Sequence, residues 1–145
     1  MRITDKIEEI DEYLSELSEI IPGNFDEYQN DFKTKAACER YFEKIIESIV
    51  DLCFLVIKDK KLKIPEEDKE AFDILSGKNI ISGILASKLK DAKGMRNIIS
   101  HEYGNVDDEI IFESITEEIA KDAEEFLENI RNIYLKKGKK SIKTK

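Results

Sequence analysis

The sequence predicts an all-α protein, a single-domain bundle of about five helices, on three observations. Apolar residues recur with a period near 3.6 along almost the whole chain. Gly and Pro together supply only eight of the 145 residues, too few for the tight turns of an all-β domain. The length fits one domain whose core needs no metal or disulfide staple.

The elements follow in order. Thr4 is the expected N-cap of a first helix whose inward face is Ile3, Ile7, Ile10, Leu14, Leu17 and Ile21, stopped by Pro22-Gly23. A second, longer helix is expected from Asn24–Asp26 through Tyr41, Phe42, Ile45, Ile46, Ile49, Leu52, Cys53 and Val56 to the charge run Lys58–Lys63. Its apolar residues between 42 and 57 spread around much of the helix, which marks it as the central, most buried element. Pro65 opens a short third helix with Ala71, Phe72, Ile74 and Leu75, closed by Gly77. Ser82 caps a fourth, with Ile84, Leu85, Leu89, Ala92, Met95 and Ile99 inward, ending near Gly104. Asp107 or Asp108 caps the last, whose stripe is Ile111, Ile115, Ile119, Ala123, Phe126, Ile130 and Ile133. The helical domain is expected over residues 1–135, followed by a flexible, Lys-rich tail over 136–145.

Composition narrows the function classes. Cys38 and Cys53 fall on one helix, about 22 Å apart at 1.5 Å per residue, so they do not pair, and one histidine completes no zinc set. No metal and no cofactor is expected, and two buried thiols fit a cytoplasmic protein. No stretch approaches 18 apolar residues, and the N-terminus reads as an amphipathic helix rather than a signal peptide. The formal net charge is −8, and residues 136–145 carry six lysines and no acid, leaving −14 on residues 1–135. A body that acidic is no general nucleic-acid binder, so any RNA or nucleotide site must be a local basic spot. An acidic surface also suits a basic partner.

Chemistry concentrates in one place. Residues 96–103 read Arg-Asn-Ile-Ile-Ser-His-Glu-Tyr and hold the chain's only histidine, His101. Leu89, Arg96 and Tyr103 repeat beside Leu85, Ala92 and Ile99, so Arg96 stands where the pattern would otherwise place an apolar residue. A guanidinium there is costly unless its donors find partners, because it cannot shed its charge. His101, five residues on, lies about 140° round an ideal helix from Arg96. Either the helix loosens before Gly104, or Arg96 and His101 meet across a two-fold axis between two copies, which makes a homodimer a specific expectation. Ser100, one turn from Arg96, either back-bonds to its own helix or positions Arg96 or a phosphate oxygen. Asn97 lies at the cleft edge or is plain polar surface. Glu39, Arg40 and Glu47 on the long helix border this cleft or form an ordinary solvated face with i,i+4 charge pairs; the second is the simpler expectation. Isolated glycines supply no phosphate loop.

Arg96-x4-His101-x-Tyr103, late in the fourth helix of a small acidic bundle, resembles the R-x4-6-H motif of the HEPN superfamily, and its extension to Tyr is similar to the HepT-like toxin family. The resemblance spans nearly the whole chain, including Glu39-Arg40 ahead of an apolar run and the polar fillers Asn97 and Ser100; the Lys-rich extension departs from it. It implies a metal-independent endoribonuclease, the toxin of a toxin–antitoxin pair, whose partner is a small nucleotidyltransferase of the minimal (MNT) type. It further implies that Arg96 and His101 are catalytic and that Tyr103 is the residue a partner enzyme modifies with AMP. The competing expectation is a non-catalytic helical module binding a nucleotide or a protein.

Overall fold

The computed structural model describes residues 2–101 and 107–134, with the side chains of Ser100 and His101 not included. Every regular element among the described residues is helical, with no strand: α1 (Arg2–Ile20), α2 (Phe25–Asn30), α3 (Phe32–Asp59), α4 (Asp68–Gly77), α5 (Gly83–His101), α6 (Asp108–Glu113), a π-helical turn (Ser114–Glu118) and α7 (Ile119–Tyr134). The expected all-α bundle is the observed one.

The central element is α3. It buries Phe42, Ile45, Ile46, Ile49, Leu52, Cys53, Val56 and Ile57 and packs against α1, α4, α5 and α7. Apolar positions all round the helix require such neighbours on every side. Burial raises the thiol of Cys38 to about 11 and that of Cys53 further, so both are inert core residues. The α1 helix lies along α3 and buries Ile3, Ile7, Ile10 and Leu17, with Tyr41 Oη donating to Glu16 at 2.9 Å. Arg131 of α7 pairs with Asp11 of α1, tying the last helix to the first.

Five expectations on element boundaries and faces are corrected. α1 begins at Arg2, so Thr4 lies inside the first turn and caps nothing. The long second helix is two helices, because Asp31 leaves helical geometry (φ −119°, ψ 92°). Its carboxylate then accepts from Thr34 N at 3.2 Å and Thr34 Oγ1 at 2.8 Å, a local N-cap that outcompetes continuation. Pro65 is buried in the extended entry to α4, which starts only at Asp68. The Glu70 carboxylate instead reaches back to Glu66 N at 2.7 Å. Ile84 is 72% exposed; it stands about 100° from Leu85, and the inward stripe runs through Leu85, Ala86 and Leu89.

The last correction is the π-helical turn that interrupts the final helix. Steps of four along Ile111, Ile115, Ile119 and Ala123 overshoot a 3.6-residue turn by about 40° each. In a regular helix three such steps would carry the stripe about 120° off the core. One wider i→i+5 turn absorbs part of that drift, and all four residues are buried. The expected caps at Ser82 and Asp107 are present: Leu85 N donates to Ser82 Oγ at 3.0 Å and Glu109 N to Asp107 Oδ1 at 3.0 Å.

Candidate active site

Arg96 sits on the last two turns of α5, facing α3. Its side chain is 23% exposed, and Nη2 donates to Glu47 Oε2, a residue 49 positions earlier in the chain. Its Nη1 donates to Asn97 Oδ1 at 3.3 Å, and the same oxygen accepts from Lys93 Nζ at 3.0 Å. Lys93 in turn lies 3.5 Å from Asp68 of α4. One wall of the site is therefore a chain of polar side chains, Glu47–Arg96–Asn97–Lys93–Asp68, drawn from three helices.

The accounting for Arg96 leaves a donor over. Nε is buried and has no hydrogen-bond partner among the described residues. A buried guanidinium donor without an acceptor is unusual. A guanidinium whose plane is held by a carboxylate and an amide oxygen, with its side chain still 23% exposed, is suited to a phosphoryl oxygen.

Of the residues singled out in the sequence, Arg96 and Asn97 are brought together. The side chains of Ser100 and His101, and all of Tyr103, lie outside the described residues. The backbone of α5 is helical through His101, so the loosening that would swing His101 onto the face of Arg96 does not occur before that residue. Glu39 and Arg40 form the expected local pairs, Lys35–Glu39 at 3.1 Å and Arg40–Glu43 at 3.3 Å. Glu47 does not. It leaves the solvated face to pair with Arg96, its side chain 39% exposed between the buried Ile46 and Ser48. Asp68 and Lys93 were missed as well; nothing in their spacing joins α4 to α5. Among the described residues no group of three or more His, Cys, Asp or Glu side chains is placed to hold a metal ion. Nor is any described helix long and apolar enough to cross a membrane.

Comparison with known proteins places this geometry in a family. Residues 10–130 match the family model described as ribonuclease HepT-like. The chain is 32% identical over 119 residues to a proposed RNase of Archaeoglobus fulgidus, covering 80% of this chain and 81% of the other. It is 23% identical over 129 residues to the mRNA nuclease HepT of Shewanella oneidensis, covering 89% and 96%. The fold matches that of the tri-AMPylated Shewanella oneidensis HEPN toxin, solved in complex with an MNT antitoxin, with a TM-score of 0.83 at 23% identity over 90% of this chain and 96% of that one. With an all-α bundle and a family-model match over residues 10–130, the chain belongs to the HepT-like ribonuclease family.

Proposed function

We propose that the chain is the toxin of a toxin–antitoxin pair, a metal-independent endoribonuclease whose active site is completed by a second copy. Its activity is held off by an MNT-type nucleotidyltransferase that transfers AMP to Tyr103. The observation that carries the reading is Arg96: a half-buried guanidinium, fixed by Glu47 and Asn97, with Nε unpartnered among the described residues. The helical backbone between Arg96 and His101 supports the two-copy arrangement, because a regular α5 keeps the two side chains about 140° apart within one chain. A two-fold axis beside α5 brings the Arg96 of one copy toward the His101 of the other.

The chemistry needs only groups this chain carries. His101 of one copy takes the proton from an RNA 2′-hydroxyl as its oxygen attacks the adjacent phosphorus. The P–O5′ bond breaks, and His101 of the second copy gives its proton to the leaving 5′-oxygen, so the products are a 2′,3′-cyclic phosphate and a 5′-hydroxyl. An imidazole with an ordinary pKa of about 6.5 populates both forms near neutrality. Arg96 balances the charge that develops on the phosphoryl oxygens. Asn97 holds the guanidinium plane, and Ser100, one turn from Arg96, supports it or a phosphate oxygen. AMP on Tyr103 would place a bulky anion in the same cleft, competing with RNA for Arg96.

The regulatory half is tested by incubating the chain with ATP and an MNT-type nucleotidyltransferase. Intact mass should rise by whole AMP units, RNA cleavage should fall, and both effects should vanish in Tyr103→Phe. Inhibition that persists in Tyr103→Phe would place control elsewhere.

A further inference from the structure

Two ion pairs of different character tie α4 to α5. Lys90 Nζ donates to Asp73 Oδ1 at 2.9 Å, between side chains 35% and 57% exposed. One turn further along α5, Lys93 Nζ lies 3.5 Å from Asp68 Oδ2, and the Lys93 side chain is only 12% exposed. The outer pair ends on itself. The inner one continues: Lys93 also donates to Asn97 Oδ1 at 3.0 Å, and the same oxygen accepts from Arg96 Nη1 at 3.3 Å. A lysine covered this far loses rotamer freedom, and its partners fix its ammonium group between a carboxylate of α4 and an amide of α5.

An asparagine amide can offer its oxygen or its NH2 in the same space, because the two ends have nearly the same shape. Beside Arg96 the two choices are opposite in effect. The oxygen accepts from Nη1, whereas NH2 would set donor against donor. Arg96 alone selects the oxygen through one long contact to its sequence neighbour. Lys93 adds a shorter, charge-assisted bond to that oxygen, and an amide flipped between two cations would find no acceptor. The other Nη of Arg96 is held by Glu47 of α3. The guanidinium is thus gripped at both Nη atoms, from α3 on one side and, through Asn97 and Lys93, from α4 on the other. We propose that Lys93, braced by Asp68, is a positioning residue for RNA cleavage: it locks the Asn97 amide and through it the plane of the Arg96 guanidinium. The proposal rests on the reading of Arg96 as the group that meets the phosphate.

The test compares the full chain with Lys93→Met, Lys90→Met, Asn97→Ala and the double variant Asn97→Ala/Lys93→Met in RNA cleavage. Methionine keeps the stem and the helix propensity of lysine, so the lysine variants fold. Lys93→Met should lower kcat about tenfold and leave KM within about twofold, because misplacing a positioned group slows the chemical step. Lys90→Met, which breaks the neighbouring α4–α5 pair, should keep the parent's kcat. In the Asn97→Ala background Lys93→Met should cost nothing further. Independently of turnover, 15N NMR should show the Arg96 guanidinium rotating several-fold faster about its Nε–Cζ bond in Lys93→Met than in the parent. A raised KM at unchanged kcat would make Lys93 a direct phosphate contact and overturn the proposal. Equal losses in Lys90→Met and Lys93→Met would overturn it too, by assigning the effect to the docking of α4 on α5. So would a full additional loss in the Asn97→Ala background, or unchanged rotation of Arg96. Cleavage by Arg96→Ala at the parent's rate would instead sink the catalytic reading of Arg96, with the hold of Lys93 on its guanidinium still decided by the NMR comparison.

Discussion

Arg96 of α5 donates to Glu47 of α3 across 49 residues of sequence, and this pair joins the motif helix to the central helix of the bundle. It is half-exposed on both sides, 23% and 39%, so its stabilising share is modest. A double-mutant cycle with Arg96→Ala and Glu47→Ala should give a coupling of about 1 kcal/mol in urea unfolding. A coupling near zero would mean that the pair positions Arg96 without stabilising the fold; a value above about 3 kcal/mol would mean a buried pair.

The π-helical turn predicts an unusual deletion phenotype. Removing Thr116 from the turn should restore a regular helix in which Ile111 stands seven residues from Ile119, about 20° off the same face, so the buried stripe is kept at little cost in stability. Removing the exposed Glu124 from the regular part of α7 should instead rotate the flanks by about 100° and lower stability by about 3 kcal/mol or more in urea denaturation. A Thr116 deletion as costly as the Glu124 deletion would contradict the role of the turn in holding the stripe on the core.

A pH dependence follows from α1. Glu9 accepts from Lys6 Nζ at 2.7 Å and Tyr13 Oη at 3.0 Å, and the Lys6 bond, with its charge, holds the Glu9 carboxyl below its ordinary 4.5. A carboxyl lowered in the folded state stabilises the fold above 4.5, and that contribution is lost as pH falls through the folded value. Glu9→Gln should therefore cost about 0.3 kcal/mol at pH 7, small because the pair is solvent-screened. The deficit should shrink in unfolding titrations carried below pH 4.5, whereas a constant deficit would assign the effect to the hydrogen bonds alone.

The helices were legible in the sequence because their burial is periodic. Leu85 and Leu89, or Ile119, Ala123 and Phe126, need only a 3.6 repeat to be placed on a core face, and Ser82 and Asp107 announce caps through side-chain chemistry that is local in sequence. The same locality misled at Thr4, a good cap residue inside the first turn of a helix already begun. At Asp31 the cap was strong enough to break a continuous pattern, yet it competed with a 3.6 repeat that runs on past it. The π turn was hidden because its stripe of four-residue steps also reads as an ordinary helix over a short window. For the site, Arg96 was visible as a charge in an apolar column, and Asn97 as its neighbour. Glu47 was not, because an acid on a long helix has i,i+4 partners in almost any charged sequence, and only the packing of α5 on α3 selects Arg96 instead.

Metal-free RNA cleavage by Arg96 and His101 is tested most directly by incubating the purified chain with single-stranded RNA in excess chelator, beside Arg96→Ala and His101→Ala proteins shown to be folded. The account predicts that the parent cleaves at an undiminished rate, leaving 2′,3′-cyclic phosphate ends, and that each variant is slower by about 100-fold or more. Cleavage abolished by the chelator, or retained at the parent's rate in His101→Ala, would contradict it.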